Sequence, residues 1–418
     1  MLTQSILFAI VSAVSSFTSY DPRDFVQSRV EDFSAVVPFA NIKSDDLSFR
    51  VVQAIRIENP ASIFHGEDVA LIEVLTPKTH PASRVKLKRF YIYSLQNPEK
   101  YKPVSAIPQL YDEDDKGGVK IMDINQKGDL LGVALNGIPS YWTFENYQIP
   151  KPIICPHGFN CDKRTRPIKI LNDRTIITDQ YRSVSGMTKP IYFSHLWNPA
   201  RPELTTSMGV EWKTRLDHKK FNPAIVRDAS RDGLIVGALT DSATAKLPQG
   251  FFSRLSGPLN ILDSGSLFKS DIPLFIVDEN RVIAQSSTLR RGFRPKEERT
   301  TVVATLLNLE FPQDREPLPH SGLIESWSID ASGNAYVQIA REEPLVERFE
   351  FFEDSNFNDG KKLIDMLDSG IKEKIIETPT LAMSVKALDR GALLEFYPRW
   401  NYPWDPKRNH YYILVPRE

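Results

Sequence analysis

Short apolar runs alternate with Asp- or Asn-bearing turns along most of the chain, a pattern that predicts many short strands rather than long helices. The clearest stretch reads Val119-Lys-Ile-Met-Asp123-Ile-Asn125, then Gly128-Asp-Leu-Leu-Gly132-Val-Ala, then Ser140-Tyr-Trp-Thr-Phe144. A second keeps the same order: Ala224-Ile-Val-Arg-Asp228-Ala-Ser, then Gly233-Leu-Ile-Val-Gly237-Ala, then Gly250-Phe-Phe-Ser-Arg-Leu255. Each gives a first strand, a tight turn, an apolar second strand, a variable loop and an aromatic third strand. Asp or Asn caps the turn, and Gly accepts the positive φ that closes it.

Weaker copies follow the same order at residues 49–93, 168–197, 274–307, 326–352 and 385–415. That makes about seven units at a spacing of roughly fifty residues, the period of four-stranded propeller blades. Fourth strands are expected at 104–110, 204–207, 258–262 and 362–367. The last unit ends directly after its third strand, while 33–42 (Phe33-Ser-Ala-Val-Val-Pro-Phe-Ala-Asn-Ile42) is a strand candidate without a unit. The expectation is an all-β fold: a seven-bladed β-propeller closed by an N-terminal strand that completes the last blade, which removes open sheet edges. Residues 33–418 then form a single propeller domain, with 17–32 as a linker. A pair of β-sandwiches or an open array are the rival architectures. Short helices are expected within 200–221 and 363–377.

The units at 119–144 and 224–255 resemble the HAF-type repeats of exported bacterial proteins, which place Asn or Asp, then Gly, then a Val-Val-Gly-like strand before an aromatic one. That resemblance implies an exported, propeller-like fold and brings no catalytic residues with it. The other units lose the second Gly, with Gln285, Gln338 and Glu395 near its place.

Export also has a signal of its own. Residues 6–14 (ILFAIVSAV) form an apolar run followed by Ser15 and Ser16, too short to span a bilayer and of the right length for a signal-peptide core, giving a signal peptide over 1–16. No Lys or Arg precedes it, so an apolar terminal element docked on the domain is the competing reading. The expected location is periplasmic or extracellular. Absence of an Asn-x-Ser/Thr sequon favours a bacterial product.

Composition narrows the function classes. The 418 residues are 41% hydrophobic and 25% charged, which excludes a disordered chain and a multi-span membrane protein. Fifty-two basic residues balance fifty-three acidic ones, so no global field favours nucleic acid. The basic clusters at 86–89, 163–166 and 290–296 lack the interleaved aromatics of single-strand binding.

No nucleophile elbow, zincin, P-loop or dinucleotide motif occurs, and no cofactor or metal is expected. The acidic stretch 112–115, ahead of Gly117-Gly118, suits a hard cation but reads first as a solvated turn, and 354–360 misses the calcium-loop registers. Cys155 and Cys161 are the two cysteines; a small disulfide loop, free thiols, or a three-ligand site with His157 remain open. The acids recurring at first-strand ends (Asp123, Asp173, Asp228, Asp278, Asp330, Asp389) read as turn formers. His195, inside an aromatic strand, reads as a packed residue.

The richest loop lies in the last unit, where Arg399, Trp400, Tyr402 and Trp404 stand together. Flat aromatic faces beside polar groups suit sugar stacking or a protein contact; they equally suit packing between the first and last blades. The expectation is a monomeric binding scaffold for a protein or glycan ligand, with no nucleic acid and no membrane span after signal removal. The alternatives are a polysaccharide hydrolase or lyase with convergent carboxylates, for which Glu73, Asp179, Glu395 and Asp405 are conceivable members, and a structural envelope protein.

Overall fold

A computed structural model describes residues 25–29, 48–75, 85–97, 100–112, 119–134, 137–153, 165–182, 191–201, 206–213, 219–239, 248–255, 257–262, 269–291, 298–318, 324–330, 332–339, 349–352, 357, 360–367, 373, 381–389, 391–398 and 410–416. The first sheet shows the plan. Ser48–Arg56, Asp68–Leu75, Val85–Ser94 and Tyr101–Asp112 pair in chain order, the two pairings from Asp68–Leu75 onwards with explicit antiparallel registers.

Sheets of the same kind follow over residues 120–152, 165–207, 209–261, 269–317 and 324–362. A last sheet joins Leu381–Ala387, Ala392–Pro398 and His410–Pro416 to Phe25–Arg29 from the other end of the chain. These are blades of the propeller type, and the chain is all-β apart from short helical turns such as the 3-10 turn Leu363–Met366.

The expectation of a seven-bladed β-propeller is corrected to an all-β propeller with six blades. Six sheets, not seven, are contiguous stretches of chain, and one of those six is five-stranded. The sheets also divide between two compact units, residues 50–323 and residues 1–49 with 324–418. The extra strand, Gly209–Lys213, pairs with the first part of Lys219–Ala229 in the region expected to hold a short helix. Alternating Val210 and Trp212 suit a strand there.

The closing strand is also placed differently. Phe25–Arg29 runs antiparallel to the last strand from Phe25 opposite Pro416 to Arg29 opposite Tyr412. It lies inside the stretch expected to be linker; 33–42 and the signal segment 1–16 lie outside the described residues.

The second strands explain why their apolar runs are continuous instead of alternating. In unit 50–323, Leu130 packs toward the first sheet with Ile57, Leu71, Ile92 and Trp142. Its neighbour Leu131 packs toward the third with Tyr141, Ile170 and Trp197. Ile176 shares that second cluster, whereas Ile177 joins Leu196, Val226, Ile235 and Phe251. Leu234 and Val236 then turn to Val282 and Leu307. A sheet buried on both faces needs apolar residues at both parities. In the other unit, Tyr336, Phe349, Leu363, Met383, Leu394 and Phe396 fill the corresponding space.

The second glycine of the repeat has a steric cause. The first strand bulges between Ile121 and Asp123 and again between Val226 and Asp228. A Cβ at Gly132 would strike the Lys120 carbonyl, and one at Gly237 the Ile225 carbonyl. The first glycine answers to the turn: Gly128, Gly233, Gly333 and Gly391 all have positive φ. Arg174 stands at that turn position in the third sheet with φ 70°. Its guanidinium is held by the fully buried Asp129, Nε donating to Oδ2 at 2.8 Å and Nη2 to Oδ1 at 3.2 Å, which offsets the strained backbone.

Candidate functional site

Arg399, Trp400, Tyr402 and Trp404 lie outside the described residues, as do Asp405, Cys155, Cys161 and the acidic stretch 354–356. Their flanks are described. Ala392–Pro398 and His410–Pro416 are adjacent antiparallel strands, so residues 399–409 connect their ends. The flanking strands are firmly packed. Phe396 is fully buried against Met383 and Leu394, and Glu395, also buried, accepts the Ser384 hydroxyl at 2.9 Å.

The recurrent aspartates have a clear role, broader than turn formation. Asp123 Oδ2 accepts the Ile170 N–H of the next sheet at 2.9 Å. Asp228 Oδ2 accepts the Ile276 N–H at 2.9 Å, and Asp330 Oδ2 the Gly391 N–H at 2.9 Å. Each carboxylate therefore ties its sheet to its successor. Asp330 also caps its own turn through the N–H groups of Ser332 and Asn334. Asp173 and Asp278 act within their turns, accepting from Thr175 and from Asn280 and Arg281.

Arg231 extends the arrangement across three sheets. From the turn of the fourth it donates through Nη1 and Nη2 to the two Asp123 oxygens at 2.7 Å each. Nη1 also reaches the Ile170 carbonyl at 2.6 Å. The turns themselves are chained. Glu58 N–H donates to the Gln126 carbonyl at 2.8 Å, Gln126 N–H to Asn172 Oδ1 at 3.3 Å, and Asn172 N–H to the Arg231 carbonyl at 3.0 Å. No motif marks Arg231. Its signal is a basic residue in a turn where the repeat elsewhere carries Gln126 and Asn172.

Asp179 is a partly buried carboxylate on the second strand of the third sheet. Burial raises its pKa, opposed by the Ser194 hydrogen bond and by the charges of Arg166 and Arg227. The Ser194 hydroxyl donates to Asp179 Oδ1 at 2.5 Å and accepts the Val226 N–H at 2.8 Å, so it too links successive sheets. Glu73 is buried in the first sheet. Glu73 and Asp179 thus sit in separate sheets of one unit, and Glu395 belongs to the other.

His195 is adjacent to Ser194 in sequence but faces the other side of its strand. Its Nε2 lies 3.1 Å from Gln180 Oε1 and its Nδ1 3.1 Å from Ser207 Oγ. A neutral ring fits both, with Nε2–H donating to the amide oxygen and the Ser207 hydroxyl donating to Nδ1. Burial pushes its pKa down to about 4. The unfolded chain therefore takes up a proton near pH 6.5 that the folded ring refuses until about pH 4. Stability falls as pH drops through that window, by about 3 kcal/mol for this group. In His195→Gln that share of the pH dependence of the melting temperature between pH 7 and 4 disappears; an unchanged profile would remove His195 as its source.

Among the described residues no group of three or more His, Cys, Asp or Glu side chains is arranged to hold a metal ion. No described helix is long and apolar enough to cross a membrane.

No family model and no curated protein matches the chain. The HAF-type likeness therefore rests on the two repeats that carry it. Several solved structures are similar. An oligogalacturonate lyase in complex with manganese is 11% identical over 89% of this chain and 97% of that one, with a TM-score of 0.47. The β-propeller domain of the trilobed protease from Pyrococcus furiosus, described as having an open velcro topology, is 9% identical over 91% and 95%, with a TM-score of 0.48. A subtype N11 neuraminidase-like protein of a flat-faced bat influenza virus is 12% identical over 95% and 94%, with a TM-score of 0.40. The propeller-type assignment stands on the chain's own sheets.

Proposed function

We propose that this protein is an exported, monomeric recognition scaffold that binds a protein or glycan ligand through the aromatic segment of its last sheet. Arg399, Trp400, Tyr402 and Trp404 are the contact residues, the two indoles supplying flat apolar faces and the guanidinium supplying donors. One observation supports this reading: five of the six recurrent acids that a catalytic ring would need are taken up by the fold. Asp123, Asp228 and Asp330 hold the next sheet, and Asp173 and Asp278 hold their turns. What remains for recognition is loop chemistry on a rigid base, the usual division of labour in such folds.

A second reading, acid–base chemistry on a polysaccharide, draws on Asp179, whose raised pKa suits proton donation. It requires a partner carboxylate about 5–10 Å away. The two readings separate in one experiment on the full chain. A glycan array and a panel of immobilised envelope proteins are screened with wild type, Trp400→Ala/Trp404→Ala and Asp179→Asn. Binding lost in the double variant and kept in Asp179→Asn is the expected result. Polysaccharide turnover that disappears in Asp179→Asn would replace the scaffold reading with the enzymatic one.

A further inference from the structure

The first sheet carries more structure between its first two strands than the repeat requires. Where the second, third and fourth sheets turn tightly at 125–129, 171–175 and 230–234, the first runs from Ile57 to Glu67. This loop is built firmly. Gly66 N–H donates to the Ile57 carbonyl at 2.8 Å, Ile57 N–H to the Glu67 carbonyl at 3.0 Å, and Ser62 N–H to the Asn59 carbonyl at 2.9 Å. Asn59 Nδ2 reaches the Lys127 carbonyl of the second sheet at 3.1 Å, and Phe64 is sunk into the shared core at 1% exposure. A long loop held by this many hydrogen bonds and by a buried phenylalanine is a feature the repeat itself does not explain.

Between this loop and the second sheet lies a cleft of about 220 Å³, lined by Ile63, Phe64, Lys102, Phe144, Glu145 and Tyr147. Its walls are aromatic and its rim carries Ile63, 45% exposed. The charges are unequally engaged. Lys100 is taken by Glu67 at 2.5 Å and Glu145 by Arg174 at 3.3 Å. Lys102 Nζ stands 6.0 Å from the centre of the Tyr147 ring, and no carboxylate among the described residues pairs with it. Tyr147 is itself fixed, its hydroxyl donating to the Gly128 carbonyl at 2.8 Å.

We propose that this cleft binds a small organic anion, a carboxylate joined to one flat apolar group, with the charge on Lys102 and the apolar body between Phe144 and the 57–67 loop. The volume falls below the roughly 300 Å³ at which drug-sized sites begin, which limits the occupant to about a single ring. Binding covers Ile63 and gives Lys102 a counter-charge that no described carboxylate supplies.

The test uses the full chain and three probes of one shape: phenylacetate, its uncharged amide and the cation phenethylamine, followed by saturation-transfer NMR and titration. Phenylacetate is expected to bind with a roughly millimolar Kd, at least about fivefold tighter than the amide, while the amine does not compete. Lys102→Gln brings phenylacetate down to the amide's level and leaves the amide unchanged. Ile63→Asp, at an exposed position that does not challenge folding, weakens phenylacetate by a similar factor through like-charge repulsion. No detectable phenylacetate binding at about 10 mM, equal binding of the acid and the amide, or an unaltered Lys102→Gln variant would each overturn the assignment.

Discussion

Asp123→Ala is expected to lower the free energy of unfolding by about 3–5 kcal/mol, as removal of one partner from a buried ion pair does. Asp123 accepts from Nη1 and Nη2 of Arg231 and from the Ile170 N–H. The side chains of Arg231 and Asp123 are only 14% and 8% exposed, so water cannot replace the lost carboxylate. The variant leaves a cation buried beside the Ile170 carbonyl and orphans a backbone donor. The double variant Asp123→Ala/Arg231→Met removes the stranded charge and is expected to recover part of the loss, a coupling measurable by a double-mutant cycle in urea. The control is Asp278→Ala. Its partner Arg281 is 40% exposed and the carboxylate 42%, so the pair contributes less than about 1 kcal/mol. Equal losses at Asp123 and Asp278 would show that spanning three sheets adds nothing.

That contrast also locates what the sequence can and cannot reveal. The repeated order of apolar strand, Asp-bearing turn and aromatic strand made the blades legible, because strand alternation and turn chemistry are local. The turn glycines Gly128 and Gly233 do have positive φ, and Ile191–Trp197 is a strand over the residues its pattern indicated. Asp123 and Asp173 look alike in sequence, yet one grips the following sheet and the other caps its own turn. The turn register separates them: Asp123 lies on its first strand, five residues before Gly128, whereas Asp173 lies inside its turn directly before Arg174.

Arg231 lies 108 residues from its carboxylate partner, beyond any pattern of spacing. Within 200–221, expected to hold a short helix, the described residues 206–207, 209–213 and 219–221 are strand. Gly209–Lys213 pairs along the first part of Lys219–Ala229, a partner that the local pattern of 200–221 does not reveal. Short fourth strands were legible in place but not in extent: 258–262 contracts to Asn260–Ile261, and 362–367 to Lys361–Lys362 followed by the 3-10 turn. The loop 57–67 was not singled out, since Pro, Ser and Gly between two strands read as an ordinary connection. Its rigidity comes from Phe64 and Asn59, whose partners belong to other elements.

Deleting residues 1–29 is expected to abolish cooperative unfolding of the unit that contains the last sheet, whereas deleting 1–24 leaves the melting transition nearly unchanged. The two deletions differ by Phe25–Arg29, which pairs along the last strand from Pro416 to Tyr412. Without it, the edge of His410–Pro416 loses its backbone partners and becomes a template for pairing with other chains. That strand reads His-Tyr-Tyr-Ile-Leu-Val-Pro, with no Lys, Arg, Asp or Glu to guard an exposed edge. The shorter variant should therefore aggregate as well as unfold, visible as light scattering that precedes loss of the circular dichroism signal. Adding a peptide with the sequence of residues 22–32 should restore the transition in a concentration-dependent way, because a strand that binds only the folded state stabilises it by mass action. Identical melting of the two deletions, without scattering, would mean that the last sheet holds together with the three strands Leu381–Ala387, Ala392–Pro398 and His410–Pro416 alone.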